Sequence, residues 1–115
     1  MLVLGKYSFK FGYGFLVEIN KKFKPINAGS ITIKVGMENV MSILMSGDVE
    51  GLIEILKLAN KTEKDIATIA ELADLVDEYE DIEQLFDEVL EELKTSNFTK
   101  KKAEEFLERM EPAKK

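Results

Sequence analysis

The chain contains no cysteine and no histidine in 115 residues. Without cysteine there is no disulfide, no thiolate nucleophile and no Cys-based zinc site. Without histidine the commonest general base and the commonest metal ligand are missing, and a Ser-His-Asp triad is ruled out. Long apolar runs are lacking too: none approaches the roughly 18–20 residues of a membrane span. The opening Met1-Leu2-Val3-Leu4-Gly5-Lys6 is too short for the apolar core of a signal peptide. These absences lead us to expect a cytoplasmic protein, and a cysteine-free chain fits a reducing compartment. Bases are absent from residues 71–92, which hold eleven acids.

What remains is 45% apolar and 33% charged, the balance of a globular chain. The length suits a single domain able to bury about 65% of its unfolded surface. The net charge of −6 is unevenly spread: residues 1–34 carry +5, residues 35–70 carry −3, residues 71–92 carry −11, and the remainder +3. So acidic a chain is a poor non-specific binder of nucleic acid, which requires neutralising phosphates. The acidic block is a solvated helix face that keeps the protein soluble, and it can also attract a basic partner.

The clearest pattern runs from Glu80 to Lys102. Ile82, Leu85, Phe86, Val89, Leu90 and Leu93 recur at helical spacing, opposite Glu83, Asp87, Glu88, Glu91 and Glu92. Thr95-Ser96-Asn97, a group that favours turns, stops this helix. A final helix follows from Thr99 to Met110, with Ala103, Phe106, Leu107 and Met110 on its stripe. Lys100, Lys101 and Lys102 occupy a first turn where the helix dipole favours acids, and Glu91 and Glu92 are the expected compensating partners. Residues 1–111 are read as one helical domain and 112–115 as a frayed tail.

Upstream, Leu2 to Phe11 reads as a β-hairpin turning at Gly5-Lys6, with Phe9 and Phe11 alternating with Ser8 and Lys10. Phe15, Leu16, Ile19 and Phe23 keep helical spacing until Pro25. Gly12-Tyr13-Gly14 lacks the third glycine of a dinucleotide fingerprint, since Val17 stands there. Asn27 to Ser30 reads as loop. Ile31 to Val35 alternates and is β-branched, so it is either a third strand beside the hairpin or a lead into the next helix. Met37, Val40, Met41, Leu44 and Met45 mark a short helix stopped at Ser46-Gly47, and Asp48 caps the next, through Val49, Leu52, Ile53, Leu56 and Ala59. A further helix is placed from Thr62, with Ile66, Ile69, Ala70, Ala73 and Val76 on one face. The fold expected is mainly α: a compact bundle of five to six helices with a small N-terminal β-hairpin.

Little here points to chemistry. Asp74, Asp77, Glu78 and Asp81 are close in sequence, and hard cations take oxygen ligands, but the glycine-bearing calcium loop is absent. Exposed acids at helical spacing normally face solvent. A DNA-binding regulator would need a basic recognition helix, whereas Glu104, Glu105 and Glu108 follow Lys100 to Lys102 directly. No catalytic residue, cofactor or metal site, and no nucleic-acid or membrane partner, is expected.

The chain resembles the phage tail assembly chaperones of long-tailed phages and prophages of Gram-positive bacteria. The resemblance spans nearly the whole chain. It is carried by Tyr7-Ser8-Phe9-Lys10-Phe11-Gly12-Tyr13-Gly14-Phe15-Leu16 and Leu44-Met45-Ser46-Gly47-Asp48. It continues in Asp81-Ile82-Glu83-Gln84-Leu85-Phe86-Asp87-Glu88-Val89-Leu90-Glu91-Glu92-Leu93-Lys94 and Ser96-Asn97-Phe98-Thr99-Lys100-Lys101. These are packing patterns, not catalytic signatures. What the resemblance implies is a non-enzymatic protein of the host bacterial cytoplasm, absent from the finished virion. Such a protein binds the long helical tape measure protein, keeps it soluble and helps recruit tail tube subunits. A longer product made by ribosomal frameshifting is often found in the family, and Lys114-Lys115 is compatible with a slippery codon pair. Self-association is left open. A partner helix would need apolar anchors. Two narrow or flexible stripes are candidates: Phe98, Phe106 and Met110, or Met37, Met41 and Met45.

Overall fold

A computed structural model describes residues 1–110; the expected frayed tail at 112–115 lies outside them. Strands Leu2–Leu4 (β1) and Tyr7–Phe9 (β2) pair antiparallel, with Leu2 opposite Phe9 and Leu4 opposite Tyr7. Gly5, at φ 58°, makes the tight turn that a side chain would strain. Alternation sends Leu2, Leu4, Tyr7 and Phe9 inward, and Phe11 continues the buried set beyond the last strand residue. A lone hairpin is marginal in water; this one lies across the body. The Lys10 amide donates to the Ala59 carbonyl at 2.8 Å, and the Ser96 hydroxyl donates to the Phe11 carbonyl at 2.6 Å.

Helix α1 (Tyr13–Lys22) buries Phe15 and Ile19, with Phe11 and Phe15 meeting edge to face at 4.9 Å. Strands β3 (Ile26–Ala28) and β4 (Ile31–Ile33) follow, then helices α2 (Gly36–Ser46), α3 (Val49–Asn60), α4 (Ile69–Glu78), α5 (Ile82–Thr95) and α6 (Lys100–Arg109). The fold is thus mainly α, six helices among the described residues, as the periodicity led us to expect. Helix α3 is the spine: Leu52, Ile55, Leu56 and Ala59 are sealed between α1, α2, α4 and β2. Helices α2, α5 and α6 form the other half, closed by Leu85, Val89, Leu93 and Ala103.

Where α1 crosses the start of α2, a Cβ on Gly36 would lie 2.4 Å from the Asn20 Oδ1 and 3.0 Å from the Ile19 backbone. Glycine is therefore what lets the helices approach, and the Gly36 amide donates to that same Oδ1 at 3.1 Å.

Three expectations are corrected. Ile31–Ile33 is a strand, but it pairs with Ile26–Ala28 in a second hairpin, not beside the first; Asn27 and Ala28 belong to it, leaving Gly29-Ser30 as the turn. The helix placed from Thr62 begins at Ile69. Thr68 and Glu71 form a complete capping box there, and the buried Asn60 side chain holds the preceding loop. The lysines opening α6 are not offset by Glu91 and Glu92, which pair instead with Lys94 at 3.9 Å and the Met1 amino group at 3.6 Å. Thr99 sits at the N-cap position of α6, but its hydroxyl donates back to the Leu93 carbonyl at 2.7 Å. Asp48 caps α3 as expected, and Asp81 caps α5 by accepting from the Glu83 and Gln84 amides. The Gln84 side-chain amide donates to Glu88 at 3.1 Å.

Candidate partner-binding site

The six residues proposed from sequence divide sharply. Met41 is fully buried and Met37 is 4% exposed, whereas Met45 is open to solvent. The methionine stripe is therefore not one surface: α2 is flanked by α1, α3, α5 and α6, so its broad apolar face is largely spent on the core. Met45 lies about 12 Å along the helix axis from Met37. On the other stripe, Phe98 is 50% exposed and Met110 is open, while Phe106 is half-buried against the core. The Arg109 guanidinium lies 5.6 Å from the Phe106 ring and pairs with Glu38 of α2 at 2.8 Å, so Phe106 serves the α2–α6 junction.

Phe98 owes its position to the turn between α5 and α6. The Ser96 carbonyl accepts from the amides of Thr99 and Lys100, and the Ser96 hydroxyl ties the turn to the hairpin while accepting from the Phe98 amide at 3.3 Å. That pinning holds a large ring out of the core. Tyr13, at the start of α1, is exposed beside it, with ring centroids 5.9 Å apart. Between these aromatics and α2 runs a groove of about 290 Å³ floored by Leu16 and Met37, with Lys34, Glu38 and Lys102 on its sides. A second depression of about 310 Å³ extends past Tyr13 and Leu16 to Val17, Asn20 and Lys21. The structure thus joins two members of different proposed stripes, Phe98 and Met37, and leaves Met45 elsewhere.

Tyr13 and Leu16 were not among the residues singled out. Their signal is nonetheless present: Tyr13, Leu16, Val17 and Asn20 recur at i, i+3, i+4 and i+7, a second stripe beside the buried Phe15 and Ile19. The glycines on either side of Tyr13 mask it, because they signal a turn and not the first residue of a helix face.

The rim is cationic although the chain is acidic, because the lysine-rich first third of the sequence builds one wall. Among the described residues, no group of three or more acids converges to hold an ion, and no helix is long and apolar enough to cross a membrane.

Exposed aromatic rings over an apolar floor are the anatomy of a protein-binding surface. The class this defines is a small helical protein with a candidate protein-binding surface. The chain belongs to the phage tail assembly chaperone family: the family profile described as phage tail assembly chaperone protein, TAC, matches residues 5–108. No curated protein and no solved structure matches it. A role in phage tail assembly follows from that membership.

Proposed function

We propose that this tail assembly chaperone binds the tape measure protein as an amphipathic helix and keeps it soluble until the tube closes around it. The observation that carries the reading is the exposed Tyr13–Phe98 pair beside the Leu16–Met37 floor. A helix presents anchors at i, i+3, i+4 and i+7, and a groove walled by Phe98, with Tyr13 beside it at the next depression, accepts such a row. Lys21, Lys34 and Lys102 suit acids on the outer flanks of the incoming helix, so rim charges steer its approach. The role is non-enzymatic: binding alone prevents a long apolar stripe from aggregating. It is exercised in the host cytoplasm, and the protein is absent from the finished virion. Recruitment of tail tube subunits falls to a longer, frameshifted product.

Co-expression with the cognate tape measure protein tests this. Tyr13→Asp and Phe98→Asp change exposed side chains, so both variants are expected to keep the native helical circular dichroism. Each is expected to lose at least about tenfold in affinity, the scale of one aromatic hot spot. Folded variants that still retain the tape measure fully would overturn the assignment of the groove.

A further inference from the structure

The β3–β4 hairpin projects from the body with every residue from Lys24 to Lys34 exposed. Its register sets Ile26 opposite Ile33 and Ala28 opposite Ile31. With two-residue alternation, these four share one face, and Asn27 and Thr32 share the other, hydrogen-bonded at 3.2 Å. The arm is therefore amphipathic, yet its apolar face is bare: Ile26, Ile31 and Ile33 are 56%, 62% and 47% exposed. Such a face on a two-stranded hairpin, itself marginal alone, marks a surface that something else covers.

Charge narrows the occupant. No acid lies between Glu18 and Glu38, while Lys24 and Lys34 flank the two strands. Two arms meeting face to face would crowd like charges. An acidic, apolar seat suits the arm instead, and the chain carries one. Val49 and Ile53 of α3, Val76 of α4, Tyr79 and Ile82 line a depression of about 360 Å³, and Asp77 and Glu80 stand on its rim. Its lining beyond α3, from Ala73 to Ile82, falls in the stretch from Glu71 to Glu92 that contains no base.

We propose that the β3–β4 arm of one copy docks in the α3–α4–α5 depression of a second copy, with Lys24 facing Asp77 and Glu80. Each copy has one arm and one seat, so the contact is head-to-tail and further copies can add. An arm this small buries less than a permanent dimer needs, so association is weak and concentration-dependent. The contact does not involve the Tyr13–Phe98 groove, and it is tested on the chain alone, so its failure would leave the tape-measure reading untouched.

Sedimentation velocity of the full chain is expected to show species larger than a monomer as concentration rises, diminishing in high salt as the ion pairs are screened. Two variants, altered only at exposed positions and checked by circular dichroism, separate the surfaces. Ile26→Ser/Ile31→Ser/Ile33→Ser removes the apolar arm, and Asp77→Lys/Glu80→Lys reverses the seat. Each alone is expected to associate at least tenfold more weakly than the native chain. Mixed, they are expected to give a heterodimer and nothing larger, because one arm and one seat remain. A chain monomeric at every concentration, a seat variant that associates as the native protein does, or a mixture that stays monomeric would each overturn the proposal.

Discussion

Asn60 is fully buried and its amide is saturated. Its Nδ2 donates to the Ser8 carbonyl at 3.0 Å and the Asp65 carbonyl at 2.9 Å, and its Oδ1 accepts from the Ala67 amide at 2.8 Å. One side chain thereby joins the first hairpin, the end of α3 and the loop before α4. Asn60→Ala strips partners from the buried Ala67 amide and from two part-buried carbonyls and is expected to lower unfolding free energy by about 3 kcal/mol in urea titration. Asn60→Asp should fare no better, since a carboxylate cannot donate to the two carbonyls. Glu71 gives a pH signature. Its carboxylate is held below its ordinary value of 4.5, first by the Thr68 amide at 2.9 Å and then by the Tyr7 hydroxyl. A lowered folded-state pKa contributes stability that is complete above 4.5 and is lost as pH falls through the folded value. Glu71→Gln should therefore flatten the acid limb of a stability–pH profile, read from urea midpoints on both sides of the glutamate range. Burial, ahead of Glu71, pushes the Tyr7 phenol above its ordinary value.

At the scale of elements, the long amphipathic stretches were legible because their buried faces decide their structure. Helix α5 spans Ile82–Thr95 and buries Leu85, Val89 and Leu93, as its spacing indicates. The hairpin at Gly5 was equally clear. The α4 start was not, because Thr62-Glu63 carries the same cap chemistry as Thr68-Ile69-Ala70-Glu71. What separates them is the Asn60 amide reaching across the loop, a tertiary contact no local pattern encodes. The second hairpin was half legible: Ile31–Ile33 alternates like a strand, but Ile26-Asn27-Ala28 is too short to show a period. Burial of the methionines was illegible for another reason, since periodicity gives a helix its apolar face without saying how many neighbours will cover it. The elements should also differ in energetic weight. Leu85→Ala, in a sealed position, is expected to cost about 2–5 kcal/mol in urea titration. Ile31→Ser, on the bare arm, is expected to change stability by less than about 0.5 kcal/mol.

Across the whole molecule, the charge imbalance visible in the sequence becomes geography. The lysines of residues 1–34 supply cations to the arm and to the groove beside Phe98, while the acid-rich stretch supplies the α4–α5 side of the α3–α4–α5 depression. The protein thus offers two apolar recesses with rims of opposite sign. Rim charges chiefly govern encounter and wrong pairings, so if the proposed tape-measure partner binds at the groove, raising salt is expected to slow its capture in stopped-flow mixing more than it hastens release.

The first hairpin has a consequence for synthesis. Its strands rest on α3 and α5, and its exit is tied to Ser96 across 85 positions of chain. On the ribosome, Leu2, Leu4 and Phe9 must wait until α3 and α5 have been made before their final neighbours emerge. The core therefore closes late, only after α5 and the turn at Ser96 have left the exit tunnel.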